Sequence, residues 1–215
     1  QTDNTVVYRS IDLKKNEAAE LIGSRIFDPV AESATMVGER GARWLLRPEN
    51  KVILVEEIRM LLRLVEKGYK NIGFMFPFVS TPKELDQLLT ILFEEEKAFS
   101  QEKGRPVYLR EVGQMTELPS NVVQAEEFIK VLKKHEDKTK AWFKSEYNVD
   151  INRHGFLSFG TNDLTQLTLG ADRDNPRMRQ LFNEAHPFVI ESIRHVVNMA
   201  REYGIKCGLC GQALV

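Results

Sequence analysis

Residues 157–175 of this chain read Leu-Ser-Phe-Gly-Thr-Asn-Asp-Leu-Thr-Gln-Leu-Thr-Leu-Gly-Ala-Asp-Arg-Asp-Asn. The apolar residues at the start of this stretch form the pattern of a short buried strand, and Gly160 lets the backbone pass close to a ligand. Asn162 and Asp163 follow where the strand ends. In a β/α protein the carboxyl ends of the strands are the usual ligand site, because helices cover the faces of the sheet. We therefore predict a functional site here, although Gly-Thr-Asn-Asp-Leu by itself is equally typical of a capped helix start.

Strand-like and helix-like segments alternate through the rest of the chain. The apolar patterns predict strands at 6–9, 71–79 and 107–117, a strand beginning near Gly155, and a last strand at 204–211. They predict helices at 48–66, 80–99, 121–135 and 187–203. Residues 14–22 are predicted as a loop or short helix and 23–41 as a long functional loop. This alternation predicts a parallel β/α architecture with right-handed crossovers.

The composition is that of a globular protein. The chain has 215 residues, 42% of them hydrophobic, which suits one large domain or two small ones. With 30 basic and 31 acidic side chains the net charge is -1, so neither nucleic acid nor a membrane surface is expected as a partner. No apolar run approaches the roughly 18 residues of a transmembrane helix, and residues 1–5 lack the features of a signal peptide. These features predict a cytoplasmic location.

The two cysteines, Cys207 and Cys210, form a Cys-x-x-Cys near the end of the chain. Such a pair is typical of a redox centre or of half a zinc site. No second pair of cysteines or histidines completes a zinc site, so zinc is the less favoured of the two readings.

The whole stretch from Ser158 to Asp174 resembles, nearly residue for residue, the signature of the phosphoenolpyruvate-utilising enzymes. This family includes phosphoenolpyruvate synthase (pyruvate, water dikinase), pyruvate phosphate dikinase and enzyme I of the bacterial sugar phosphotransferase system. The sequences Leu-Thr-Gln-Leu-Thr-Leu-Gly and Asp-Arg-Asp are most similar to the synthase branch, as is the Cys210-Gly-Gln segment. The resemblance extends over nearly the whole chain.

The resemblance implies a (β/α)8 TIM-barrel domain for phosphoenolpyruvate and pyruvate, of which residues 1–215 cover about strands 3 to 7. The first two strands, the arginine on the second, and the eighth strand are then absent. The nucleotide-binding and phosphohistidine domains of the family are also absent, and no Thr-x-His-Ala motif occurs. An incomplete barrel leaves open edges and an open inner face. We expect apolar residues such as Phe74, Phe76 and Phe78 to need cover there, for example in a homo-oligomer.

The resemblance also assigns roles to individual residues. Two arginines, Arg9 and Arg40, match the family's substrate arginines and act in catalysis as forks for phosphate and enolate oxygens. Two further matches, Asn162 and Arg173, imply substrate contacts. For Arg173, an ion pair with Asp172 is an equally good reading.

Two carboxylates and one thiol complete the implied site. Glu117 and Asp163 match the family's Mg²⁺ ligands, and magnesium suits a site with few protein carboxylates. For Glu117 the alternative is a salt bridge across the top of the barrel. Cys210 matches the family's proton donor, and a thiol can give one proton to the enolate carbon. Its alternative role is that of a small buried strand residue.

One departure from the family pattern lies beside Arg40. The family usually reads Asn-Pro-Met-Leu-Gly-Trp-Arg-Gly, whereas residues 34–41 read Ala-Thr-Met-Val-Gly-Glu-Arg-Gly. The absence of Asn-Pro and the presence of Glu39 in place of Trp put an extra negative charge next to a phosphate site. We expect this charge to weaken phosphate binding.

Two classes of function follow from the resemblance. The first is the catalytic domain of a phosphoenolpyruvate synthase, which forms phosphoenolpyruvate from pyruvate by phosphoryl transfer from a phosphohistidine through a magnesium-stabilised enolate. Such a domain depends on the ATP-binding and phosphohistidine domains of a parent enzyme. The alternatives are a domain of the pyruvate phosphate dikinase type, or a non-catalytic binding or assembly module that kept the pocket.

Overall fold

The computed structural model describes residues 4–14, 17, 20 and 36–211. In these residues five parallel strands form one sheet in the order of the sequence: β1 Val6–Arg9, β2 Ile72–Phe76, β3 Glu111–Thr116, β4 His154–Gly160 and β5 Lys206–Cys210. The sheet curls into a half-barrel. Its strand order, in which every strand pairs with its predecessor in sequence, is that of a TIM-type barrel. The predicted α/β fold class is confirmed.

Seven helices connect the strands or follow them in the described part of the chain. They are α1 Ala42–Leu45, α2 Lys51–Glu66, α3 Pro82–Lys103, α4 Pro119–Val123, α5 Ala125–Tyr147, α6 Thr161–Leu169 and α7 Pro187–Glu202. Of these, α2, α3, α5 and α7 pack side by side against one face of the sheet. The short helices α1, α4 and α6 were not predicted as separate elements, although α6 is the helix start that Gly-Thr-Asn-Asp-Leu allowed.

The main hydrophobic core lies between the sheet and the helices. Phe74 and Phe76 on β2 are fully buried in this core together with Leu157 and Phe159 on β4. The expectation that Phe74 and Phe76 need cover on the inner face is therefore wrong. The reason is the two-residue period of a strand, which directs both rings to the helix side.

The inner face of the half-barrel carries a second, smaller cluster of Met75, Met115 and Phe156. The ring and backbone of Phe156 lie directly over Gly113, where an added Cβ would come within 2.2 Å of the Phe156 carbonyl oxygen. A side chain at position 113 would therefore push β3 and β4 apart. Glycine at this position lets the neighbouring strand supply the apolar cover.

Local sequence sets the bounds of α3. Thr81 and Glu84 form a reciprocal capping box and Pro82 occupies the first turn, while Gly104, with φ of +62°, ends the helix in the left-handed region. Both devices satisfy backbone groups that a helix end leaves unpaired.

The helix predicted at 121–135 is longer than expected, because α5 continues to Tyr147. The helix was not recognised beyond His135 because its inward face is partly polar there. Glu136 and Thr139 are buried on this face, and Phe143 is buried on the same face further along. The Glu136 carboxylate accepts hydrogen bonds from the Gly155 backbone N–H and from Lys140. Polar side chains here bind the adjacent strand, so the apolar period is lost although the helix persists.

Three strands are shorter than predicted, and the smallest difference is in β5, which spans Lys206–Cys210 in place of 204–211. β2 ends at Phe76, because Pro77 follows and Phe78 adopts φ of +48°. β3 begins at Glu111 and not at residue 107. Before it, the backbone N–H groups of Val107 and Leu109 donate to the side chains of Ser100 and Glu96 on α3. Side-chain acceptors thus replace a sheet partner in this segment.

Parts of the predicted 14–22 and 23–41 segments, namely 15, 16, 18, 19 and 21–35, lie outside the described residues. Among the helices that the structure describes, none is long and apolar enough to cross a membrane.

Candidate functional site

A cavity of about 370 Å³ opens where the strands end. All seven side chains predicted for the site line it: Arg9, Arg40, Glu117, Asn162, Asp163, Arg173 and Cys210. They come from the ends of β1, β3, β4 and β5 and from the loops beside them, because parallel strands bring their carboxyl ends to one edge. The structure therefore brings the predicted residues together, while their chemical roles stay predictions.

Arg40 is the buried cation of this cavity, with only 5% of its side chain exposed. Its Nε donates to Asp12 Oδ1 at 2.8 Å and its Nη2 donates to Asp12 Oδ2 at 2.5 Å. The same Nη2 lies 3.2 Å from Asp163 Oδ2. Among the described residues, the acceptor that Nη1 meets is the thioether sulphur of Met36, at 3.5 Å. A thioether is a weak acceptor, so this nitrogen is the one with capacity for a substrate oxygen.

Asp12 links the two arginines. Its side chain is fully enclosed, and besides its paired bonds to Arg40 it accepts a hydrogen bond from Arg9 Nη2. Arg9 Nε lies 3.0 Å from the sulphur of Met115 on the inner face. A single carboxylate thus orients both guanidinium groups. The sequence contained a signal for this role, since Asp12 stands three residues after Arg9.

Phe78 contacts two site residues, one through its backbone N–H and one through its ring. Its N–H donates to Glu117 Oε1 at 2.5 Å, and the Arg40 guanidinium carbon lies 4.2 Å from the ring centre. Its φ of +48° is unusual for a residue with a side chain. Gly41 packs against this turn, and a Cβ there would lie 2.6 Å from Phe78 Cβ. The strained turn therefore positions a carboxylate and a guanidinium at once.

Glu117 is 2% exposed and lies close to other acids. Burial raises the pKa of Glu117 to about 7, and the negative charges of Asp163 and Asp12 act in the same direction. The Phe78 N–H and the Arg9 cation oppose this rise. Gly160 makes room for the carboxylate, because a Cβ at Gly160 would lie 2.6 Å from Glu117 Oε2. The close backbone approach predicted at Gly160 thus serves this side chain.

The donors around Asp163 fit Mg²⁺ by their chemistry. Glu117 and Asp163 supply two mutually repelling carboxylates, and the Oδ1 atom of Asn162 is buried with no hydrogen-bond donor among the described residues. No group of three or more acidic, His or Cys side chains there could hold a metal ion. Magnesium needs only one or two protein carboxylates and takes its other ligands from water and substrate oxygens.

Cys210, the last residue of β5, is exposed and pairs in register with Gly160. Cys207 pairs with Leu157, whose side chain faces the helices. Residues three apart on a strand point to opposite faces and lie about 10 Å apart along it, which is beyond the reach of a disulfide. Both cysteines are free, and the Cys-x-x-Cys reading as a redox pair is wrong for this fold.

Arg173 and Lys14 complete the cationic lining. Among the described residues, the carboxylate that pairs with Arg173 is that of Asp174, 3.7 Å from Nε, and the alternative ion pair with Asp172 is not formed. Lys14, which the sequence reasoning did not single out, has 14% of its side chain exposed and lies 3.9 Å from Asp174. Both contacts are long, so both cations keep capacity for an anionic ligand.

The unusual Glu39 does not line this cavity. Its two carboxylate oxygens accept hydrogen bonds from Nε and Nη2 of Arg47. This paired contact offsets the extra negative charge near Arg40.

Comparisons with known proteins agree with the family resemblance of the sequence. The sequence profile of the family described as "PEP-utilising enzyme, PEP-binding domain" matches residues 1–133 and 149–214. The chain is 36% identical over 211 residues to the phosphoenolpyruvate synthase of Pyrococcus furiosus, which covers 97% of this chain and 22% of that protein.

Two further relatives carry the same name. The phosphoenolpyruvate synthase of Aquifex aeolicus is 36% identical over 211 residues, covering 98% of this chain and 21% of the relative. That of Synechocystis is 36% identical over 210 residues, covering 97% and 22%. The chain spans about a fifth of the length of these relatives. The profile match over most of the chain and these identities show that the chain belongs to the PEP-utilising enzymes, as their PEP-binding domain.

Proposed function

We propose that this chain is the phosphoenolpyruvate- and pyruvate-binding catalytic domain of a phosphoenolpyruvate synthase. The observation that carries the proposal is the single cavity that gathers the cations, the paired carboxylates and the thiol at the strand ends. These groups are what the conversion of pyruvate to phosphoenolpyruvate requires. A site for it must hold a carboxylate and a phosphate, stabilise an enolate oxygen and move one proton at the methyl carbon.

The arginines bind and orient the anionic groups. Arg40 and the half-exposed Arg9 line the cavity, Asp12 holds both guanidinium groups, and the Phe78 ring packs against that of Arg40. Fixed donors stabilise developing negative charge without reorganising. Arg173 supplies a further cation to the lining of the cavity. A substrate with a phosphate and a carboxylate would thus meet several cationic donors in one cavity.

Cys210 moves the proton. In the direction of phosphoenolpyruvate formation, its thiolate takes a proton from the pyruvate methyl group as the C–H bond breaks, and the electron pair moves to the carbonyl oxygen. That oxygen forms a bond to phosphorus as the phosphorus–nitrogen bond of the phosphohistidine breaks, and the ring, already protonated on its other nitrogen, takes the electron pair of that bond and leaves as neutral histidine. The exposed position of Cys210 at the cavity wall supports this role.

The phosphohistidine and the ATP-binding chemistry belong to other domains of a parent enzyme in this proposal. Glu117, Asp163 and Asn162 would hold Mg²⁺, which when bound supplies positive charge at the enolate and phosphate oxygens. This division of labour leaves binding and proton transfer to the present chain.

Calorimetric titration of phosphoenolpyruvate into the 215-residue chain with Mg²⁺ tests the binding half of the proposal. We expect binding that Arg40→Met weakens at least tenfold. Arg43→Met is the matched control, since Arg43 lies three residues away, is 47% exposed and pairs with Glu84 outside the cavity. Equal loss in both variants, or no effect of Arg40→Met, would contradict the assignment.

A second experiment separates an enzyme domain from a binding module. In the full-length parent enzyme, Cys210→Ala should abolish the exchange of pyruvate methyl protons with deuterated solvent, measured by NMR, and leave phosphorylation of the histidine domain intact. Phosphoenolpyruvate affinity should stay within about twofold, because the thiol makes no charged contact with the ligand. Normal proton exchange in this variant would remove Cys210 from the mechanism.

A further inference from the structure

A second cavity, of about 390 Å³, lies at the opposite end of the sheet. Its polar lining comes from the segments that lead into three neighbouring strands. Lys70 stands two residues before β2, Arg110 directly before β3 and Asn152 two residues before β4, while Arg105 and Tyr108 belong to the loop after α3. Because all strands run in parallel, this is their amino end. The cavity shares no residue with the candidate active site.

The charges around this cavity are unbalanced. Lys70, Arg105 and Arg110 line it, and no carboxylate does. In the part of the chain that the structure describes, neither Lys70 nor Arg110 makes an ion pair, and Arg105 has one carboxylate, that of Glu66, at 3.9 Å. A chain with a net charge of -1 thus concentrates three cations here. Like charges gathered without a counter-charge repel one another and favour an anion.

The cavity also holds hydrogen-bond donors that have no acceptor. The Nε atom of Arg110 is buried and finds no acceptor among the described residues. Leaving a buried donor unsatisfied costs about 1–3 kcal/mol. The Tyr108 hydroxyl accepts the Asn152 backbone N–H at 3.3 Å, so its own hydrogen remains to be donated. Packing of the Tyr108 ring against Phe143, with centroids 5.5 Å apart, fixes the direction of this hydroxyl.

We propose that this cavity is a second anion site, which binds a phosphorylated small molecule at the amino end of the sheet. Planar guanidinium groups and an ammonium group match the several oxygens of a phosphate, and the tyrosine hydroxyl adds a neutral donor. Val65, Pro106 and Val107 give the cavity an apolar wall, and its volume accommodates a molecule larger than a single phosphate ion. The proposal is independent of the function proposed for the carboxyl end of the sheet.

Titration of pyrophosphate into the full chain without Mg²⁺ tests the site. We expect binding that the double substitution Lys70→Gln and Arg110→Gln weakens at least tenfold. Arg40→Met, which disables the other cavity, should leave this binding within about twofold. Lys67→Gln is the matched control, because Lys67 is an exposed cation three residues from Lys70 that does not line the cavity. Binding that only Arg40→Met removes would overturn the proposal.

Chemical shift mapping on the Arg40→Met protein, in which the other cavity is disabled, keeps the test valid if the double variant fails to fold. Pyrophosphate should shift the backbone amide signals of residues 70, 105, 107–110 and 152 in a saturable manner. The signals of 9–12 and 160–163 should stay unchanged in the Arg40→Met protein. If the signals of 70, 105, 107–110 and 152 do not shift, or if saturable shifts are confined to 9–12 and 160–163, the cavity at the amino end binds no phosphate.

Discussion

Replacement of Glu117 by Gln should stabilise the metal-free protein at alkaline pH. The carboxylate is buried beside Asp163 and Asp12, and the backbone N–H of Phe78 is its identified hydrogen-bond donor. A glutamine side chain keeps an oxygen to accept that N–H and removes the charge. The substitution therefore isolates the cost of ionising one acid in this cavity.

The magnitude follows from the raised pKa. Burial of Glu117 raises its pKa from 4.5 to about 7. Between these values the folded protein holds a proton that the unfolded chain releases, so stability falls as pH rises from 4.5 to about 7 and is then constant. Since each tenfold change in this equilibrium is worth about 1.4 kcal/mol, the loss is on the order of 3 kcal/mol. Below the lower value this contribution disappears.

Urea unfolding at pH 4.5 and pH 8 without Mg²⁺ measures the effect. We expect Glu117→Gln to match the wild type within about 1 kcal/mol at the lower pH and to exceed it by up to about 3 kcal/mol at the higher one. Glu94→Gln, at an exposed acid on α3, serves as control and should not change the pH dependence. A Glu117→Gln protein that is less stable at pH 8, or that loses as much stability with pH as the wild type, would refute the reasoning.

Three further predictions concern the surroundings of the sheet. Asp12→Asn should weaken phosphoenolpyruvate binding by about 10- to 100-fold in calorimetric titration, because it removes charged hydrogen bonds of about 1.5–3 kcal/mol each from Arg9 and Arg40; unchanged affinity would show that the arginines need no anchor. Arg153→Met should lower the free energy of unfolding in urea by about 3–5 kcal/mol, because it leaves the buried Glu96 carboxylate, which Arg153 holds at 2.8 and 3.0 Å, without its cation. Adding Glu96→Gln, which removes the charge and keeps an oxygen for the Leu109 N–H, should recover most of that loss, and a double variant as unstable as the single one would contradict the pairing argument. The exposed edge strands β1 and β5 predict association of the chain at micromolar concentration in light scattering, and a stable monomer would show that the edges need no partner.

The strands and the positions of the site residues were predicted well, because both depend on patterns that are visible in the amino-acid sequence itself. Apolar runs located β2 and β4, and the polar residues that follow β4 were correctly placed at the carboxyl edge. The motif resemblance selected Arg9 and Arg40 among 30 basic residues, which charge and period could not do. The cavity contains all of the selected residues.

What the sequence could not supply were contacts made by the backbone or by buried polar groups. The part that Phe78 plays depends on a left-handed backbone at a residue with a side chain, which no local pattern predicts. The length of α5 was hidden because Glu136 and Thr139 face inward. The inner and outer faces of β2 were confused for another reason. A strand covered on both sides is apolar at nearly every position, so its sequence does not show which side chains face the helices and which face the inside of the barrel.

The pairing of each strand with its predecessor has a consequence for how the site is made during synthesis. Each new strand can add to an edge that already exists as the chain leaves the ribosome, so the sheet needs no rearrangement to grow. Before β5 is made, the site then already contains Arg9 and Arg40 and the two acids that follow β3 and β4. Cys210 enters last. A nascent chain would thus gain the capacity to hold an anion well before it gains the thiol that could act on one.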